Sequence, residues 1–308
     1  MTDIVITEFL EPAAIDVLKK GFTVHWDREL WNKRGDLEKL VRDLPGLIVR
    51  NRTPVDKALL DMAPKLKVVG RLGVGLDNID VAECERRGIE VCSARGANAT
   101  SVSEYAIAMA MILLRGRAYL DTHRLVAGEW PREELGRGLE LAGKTLGVIG
   151  LGSIGSTSAR KARALDMRVI ATDPYLPDGN ENWNLAEKAS LGDLLAEADV
   201  VTIHCPLNPE TRGMIAGQEL SRMKKGSVLI NSARGGIVDE QACAAALKSG
   251  HLGGAALDVF DYEPIKAEAG KVFAGIPNVI LTPHISGVTR EANDRVSTMT
   301  VDSVARVL

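Results

Sequence analysis

Short apolar runs recur along the chain, each bounded by turn-forming or charged residues and each followed by a segment with helical spacing. Runs at 4–7, 47–50, 66–70 and 89–92 read as strands in the first third. Later strands are predicted at 146–150, 168–172, 200–204, 227–231, 255–259 and 279–282. Helical patterns lie between them, at 12–20, 55–61, 81–87 and 190–197. Alternation of this kind predicts βαβ units and parallel sheets, an α/β fold. The stretch 101–115 is rich in Ala, Met, Ile and Leu and opens with Ser101-x-x-Glu104, the pattern of a capping box. Nearly all its faces are apolar, so it is expected to be buried at a domain or subunit contact. A helical pattern returns from Thr289.

One strand carries a glycine pattern. Thr145-Leu-Gly-Val-Ile-Gly-Leu-Gly-Ser-Ile-Gly155 reads as a strand, a turn and the start of a helix near Ser153. Gly150 permits the tight turn, Gly152 lets backbone approach a pyrophosphate, and Gly155 lets the helix pack against the strand. The free N–H groups at the helix start, around Ser153 and Ile154, suit that anion. The next strand ends at Asp173, 18 positions past Gly155. A carboxylate there accepts ribose hydroxyls and repels a 2′-phosphate, so NAD is expected rather than NADP. A fingerprint normally sits on the first strand of its domain, so an earlier α/β unit must precede residue 145. The expected division is 1–97 plus 288–308 as a discontinuous substrate-binding domain, with 98–287 inserted as the NAD-binding domain.

Composition narrows the partners. The 308 residues are 45% hydrophobic, enough for two cores, with a formal charge of −3 and only 4% aromatic residues. That balance disfavours a nucleic-acid surface. The chain opens on an acid and a strand-like run, so no signal peptide is expected, and the longest apolar run is too short to span a bilayer. Cys84, Cys92, Cys205 and Cys243 form no metal-ligand pair and fit free thiols in a reducing cytoplasm. The five histidines show no ligand spacing, and no metal is expected.

Three segments at the ends of predicted strands carry chemistry: Asn231-Ser-Ala-Arg234, Asp258-Val-Phe-Asp-Tyr-Glu263 and Leu281-Thr-Pro-His284. Open α/β sheets place ligands at those carboxyl ends. An arginine fork binds a carboxylate and polarises the neighbouring oxygen. A histidine takes a hydroxyl proton as hydride leaves, and an acid holds the imidazole in one tautomer. Together they equip a site for reversible hydride transfer at a hydroxyl-bearing carbon.

These motifs, the fingerprint and Gly70-Arg-Leu-Gly-Val-Gly-Leu-Asp-Asn-Ile-Asp80 together resemble the D-2-hydroxyacid dehydrogenase family over nearly the whole chain. The resemblance implies two Rossmann-like domains with a hinge, dimeric through the cofactor domain. It assigns Arg234 to the substrate carboxylate, His284 to acid–base work and Glu263 to its partner. Backbone amides of Gly73, Val74 and Gly75 would hold the carboxylate, with Arg71 and Asn98 nearby. Ser232, Ala233, Asp258 and Gly287 would approach the nicotinamide, while His204, Cys205, Pro206 and Thr211 line the adenosine side. Gly128-Glu-Trp130 resembles the dimerisation arm, with a packed core tryptophan as the alternative.

The family fixes a D-configured 2-hydroxy acid without fixing its side chain. Here Val49-Arg-Asn-Arg-Thr53 adds a second arginine to the usual pattern, and Arg95 stands where a proline is common. In an extended strand Arg50 and Arg52 point to one face. With Arg95 they could recognise a second anion on the third carbon. The combination is most similar to bacterial enzymes acting on (S)-sulfolactate, whose S label matches the D acids in space. Glycerate, malate and 3-phosphoglycerate are the alternatives. Phosphoglycerate enzymes often carry a C-terminal regulatory domain, and control through one is not expected of a chain stopping at Leu308. A non-catalytic, corepressor-like NAD(H) sensor shares the fold and is the rival from another class.

Overall fold

Valine, isoleucine and leucine dominate twelve strands that a computed structural model, describing residues 2–308, arranges in two sheets. The chain divides into two units, Met1–Asn98 with Val288–Leu308, and Ala99–Gly287.

The first unit holds β1 (Ile4–Ile6), β2 (Val24–Trp26), β3 (Gly46–Val49), β4 (Val68–Arg71) and β5 (Glu90–Ser93). All pair in parallel, in the order β2-β1-β3-β4-β5. Leu47 and Val49 face one core and Ile48 the other, so both sheet faces are covered. Burial on both faces is why parallel strands read as unbroken apolar runs. The terminal helix Arg290–Val307 buries Val301 and Val304 in the second of these cores, and the Thr289 hydroxyl caps it by accepting from Ala292 N–H at 3.1 Å.

The second unit holds β6 (Thr145–Ile149), β7 (Arg168–Thr172), β8 (Glu187–Lys188), β9 (Val200–Ile203), β10 (Val228–Asn231), β11 (Gly254–Leu257) and β12 (Val279–Leu281). Their parallel order is β12-β11-β10-β9-β6-β7-β8, which reverses direction between β6 and β9. Among the described residues no helix is long and apolar enough to cross a membrane.

Three expectations need correction. The helix expected at 101–115 is Ala99–Leu114, so Ser101 and Glu104 lie inside it and form no cap. Its apolar faces are also explained within its own unit: Ala106, Ala110 and Leu113 share a core with Val148, Ala159, Ala162, Ile230 and Ala256. Strands β2 and β8 were not expected. Both are short edge strands, one interrupted by His25 and the other wholly charged, so neither offers an apolar run.

Candidate active site

The glycine turn is built as the fingerprint requires. Gly150 has φ +89°, and a Cβ there would lie 2.9 Å from the His204 carbonyl at the end of β9. A Cβ on Gly155 would lie 2.0 Å from the Gly150 oxygen. Gly152, by contrast, opens onto free space at the start of helix Ser153–Arg163. Two glycines are therefore needed for packing and the third leaves a cradle open, which fits a dinucleotide pyrophosphate against the helix N-terminus. Asp173 also shapes this turn. One carboxylate oxygen accepts Leu151 N–H at 2.8 Å, and the other accepts the N–H groups of Tyr175 and Leu176, both at 3.1 Å. The oxygen that accepts Leu151 N–H keeps a further lone pair for a ribose hydroxyl.

Several residues expected to line the cofactor serve it from behind. The His204 ring is neutral, its pKa pushed down to about 3 by burial. The residue is exposed only in part, and its Nδ1 is buried without a partner. Nε2 lies 3.1 Å from Thr202 Oγ1 and 3.3 Å from Ser158 Oγ, so the ring points into the protein under the helix. The Thr211 hydroxyl donates to the Pro206 carbonyl at 2.7 Å and accepts from Asn208 N–H at 2.8 Å, tying the 204–211 loop together. Cys205 is half-buried and Pro206 exposed on that loop. Ser232 Oγ is buried and unpartnered at the end of β10, a polar atom left for a ligand or water.

The chemical groups converge on Glu263. Its Oε2 accepts from His284 Nδ1 at 2.7 Å and its Oε1 from Phe260 N–H at 3.0 Å. Burial raises this carboxyl's pKa, but the His284 and Phe260 hydrogen bonds and the nearby charges of His284 and Arg234 outweigh it, leaving the pKa lowered. Nδ1 is thereby fixed as the nitrogen facing the acid, which leaves Nε2 for a substrate hydroxyl. Arg234 sits in a turn stapled by Asn231, whose Nδ2 donates to the Arg234 carbonyl at 3.0 Å and whose Oδ1 accepts Ala233 N–H at 3.1 Å. A Cβ on Gly235 would lie 1.8 Å from the Phe260 carbonyl, so only glycine lets this turn pack onto the acid's segment.

His284 itself adopts φ +56°, a conformation that strains a residue with a Cβ. Asp258, fully buried, holds it there. One of its oxygens accepts from Thr282 Oγ1 at 2.5 Å and Ile285 N–H at 2.8 Å, and the other from Ser286 N–H at 2.8 Å. Asp258 is thus anchored to the histidine loop from within, where the sequence suggested a direct cofactor contact. Tyr105 joins the network through its hydroxyl, 2.8 Å from Thr282 Oγ1. Tyr105 carried no expectation from the sequence, and Asn231 and Thr282 stood in their segments without a role of their own. Asn231 alone had a local signal, a polar residue closing an apolar strand three positions before the arginine.

In the first unit, Gly73 N–H donates to the Arg71 carbonyl at 2.9 Å and so is engaged within the chain, unlike the free amide expected of it. Asn98 Oδ1 is buried and unpartnered. Arg50 is half-buried, while Arg52 and Arg95 are exposed. Trp130 is 79% exposed, which removes the core-tryptophan alternative.

Comparison with known proteins agrees with this architecture. Residues 107–286 match the model of the D-isomer specific 2-hydroxyacid dehydrogenase NAD binding domain. A protein named (S)-sulfolactate dehydrogenase from Chromohalobacter salexigens is 49% identical, over 100% of this chain and 99% of that one. A D-3-phosphoglycerate dehydrogenase from Methanocaldococcus jannaschii is 39% identical, but this chain spans only 58% of it. Among solved structures, D-lactate dehydrogenase from Aquifex aeolicus, complexed with NAD and lactic acid, superposes with a TM-score of 0.86 at 28% identity, covering 98% of this chain and 94% of that one. The chain belongs to the D-isomer specific 2-hydroxyacid dehydrogenases, NAD-dependent enzymes acting on the CH–OH group of hydroxy acids.

Proposed function

We propose that the protein interconverts (S)-sulfolactate and sulfopyruvate. The catalytic part of that proposal is carried by the 2.7 Å bond between His284 Nδ1 and Glu263, which leaves the other ring nitrogen to exchange a proton with a substrate hydroxyl. In the oxidation direction His284 accepts that proton, and Glu263 favours the imidazolium that results. Arg234 binds the substrate carboxylate as a two-pronged donor and draws electron density from the adjacent carbon. Bound NAD supplies the carbon that accepts the hydride. The first unit is assigned to substrate recognition and the second to the cofactor.

Choice of substrate is supported by the 49% identical full-length relative of that name and by Arg50 and Arg52, which offer charge to a second anion. We further propose a cytoplasmic homodimer. Leu125, Val126 and Trp130, 48%, 84% and 79% exposed, are apolar side chains of the second unit that a second copy would cover. The deciding experiment compares kcat/KM for (S)-sulfolactate, 3-phosphoglycerate, D-malate and D-glycerate. Sulfolactate is expected to lead, with Arg52→Ala lowering its kcat/KM by roughly tenfold. A clear preference for phosphoglycerate defeats the assignment, and silence across the panel with tight NADH binding points to a sensor.

A further inference from the structure

The first sheet changes direction between β1 and β3, and open α/β sheets bind ligands beyond the strand ends at such a point. The residues leaving the strands there form an unusual set. Glu8 and Phe9 follow β1, Arg28 follows β2, and Arg50 and Arg52 follow β3. Glu8 is only 4% exposed, yet it neutralises no guanidinium by direct contact. Its Oε1 instead accepts Arg50 N–H at 2.9 Å, Thr53 N–H at 3.1 Å and the Thr53 hydroxyl at 2.9 Å, while its Oε2 accepts Arg52 N–H at 3.1 Å. Glu8 thus fixes the loop backbone rather than the guanidiniums, and Arg50 reaches only a neutral partner, donating from Nη2 to Asn293 Oδ1 at 3.4 Å.

Those side chains rest on aromatic rings. Arg28 and Arg50 share the Phe9 ring, at 5.0 and 5.8 Å from its centroid, and Arg52 lies 4.7 Å from the centre of Trp31. Among the described residues none of the three forms an ion pair; of the two acids flanking Arg28, Asp27 is taken by Lys33 at 2.8 Å and Glu29 accepts from Asn32 Nδ2 at 3.5 Å. Burial disfavours the charge on Arg50; Glu8 and Glu11 oppose that at longer range, and Arg52 adds to it. Three cations beyond the strand ends at a sheet's switch point, resting on ring faces and outside any ion pair among the described residues, suit an anion from outside the protein.

We propose that Arg28, with Phe9 as its platform, is a specificity-determining residue that completes, with Arg50 and Arg52, a subsite for a tetrahedral oxyanion on the substrate. This rests on the dianionic substrate proposed above and adds a residue that the sequence did not single out. A sulfonate and a phosphate ester share the chemistry, each presenting three oxygens to the three guanidiniums.

The test is the ratio of kcat/KM for (S)-sulfolactate to that for D-lactate, which lacks the sulfonate, with 3-phosphoglycerate run in parallel. Arg28→Ala is expected to lower the ratio about tenfold, and Arg28→Lys to recover part of it. An unchanged ratio in Arg28→Ala, alongside a reduced ratio in Arg50→Ala, overturns the role of Arg28 and leaves the substrate assignment standing. Should the wild-type enzyme not prefer either dianion to lactate, the substrate assignment fails by itself. Inorganic sulfate then decides the subsite: a rise in Tm in the wild type, above a sodium chloride control and lost in Arg28→Ala, supports it. Equal shifts in both proteins overturn it.

Discussion

Asp258 and Glu8 are both buried carboxylates at the carboxyl edge of a parallel sheet, and each gathers backbone N–H groups from the loop that presents the chemistry. Asp258 gathers the Ile285 and Ser286 N–H groups and also the Thr282 hydroxyl, and so holds His284. Glu8 gathers Arg50, Arg52 and Thr53 and so holds the arginine loop. The difference lies in the side chains presented. His284 is itself paired, at 2.7 Å, to Glu263, whereas Arg50 and Arg52 lie against Phe9 and Trp31. A proton-transfer group works from one tautomer in one orientation, so a permanent partner helps it. A cation meant for a ligand is handicapped by a resident carboxylate, because binding would first have to break that pair. An aromatic ring orients the guanidinium without competing for its donors.

The largest effect that can test this contrast is on the paired edge. His284→Ala and Arg234→Ala are each expected to lower kcat/KM by on the order of 10²–10⁴. NADH binding, followed by fluorescence titration, should persist, since the glycine turn is untouched. Near-normal turnover would remove the acid–base role of His284 in the first variant and the carboxylate-binding role of Arg234 in the second.

Next comes the anchor. Asp258→Ala leaves three donors facing a buried gap, so a stability loss of about 3 kcal/mol is expected, read as a lower urea midpoint at unchanged m. Glu8→Ala should cost a similar amount, because it too strands several buried donors. A loss below about 1 kcal/mol at either position would show that its loop holds its shape by other means.

How much of this was open to a sequence reader follows from the range of each interaction. The strand expected at 168–172 is Arg168–Thr172, and the glycine turn was legible because its requirements lie within six residues. Arg234, Glu263 and His284 were legible because each closes or follows an apolar strand. Arg28 was missed together with β2, whose Val-His-Trp run carries no strand pattern. The Tyr105–Thr282–Asp258 network was illegible for another reason: its first two members are 177 residues apart and only the fold makes them neighbours. Capping at Ser101 misled because the helix already begins at Ala99, and Ala99, Ser101 and Val102 are buried, which local spacing does not report.

The smallest expected effect probes the pairing itself. Glu263→Gln keeps the size of the side chain and an oxygen for His284 Nδ1, but removes the negative charge. That charge stabilises the imidazolium formed as His284 takes the substrate proton, so kcat/KM in the oxidation direction is expected to fall. Both side chains are partly open to water, with 34% of Glu263 and 49% of His284 exposed, so solvent screens the interaction and the loss should be about tenfold or less. An unchanged kcat/KM would mean that the acid orients the ring without stabilising its charge.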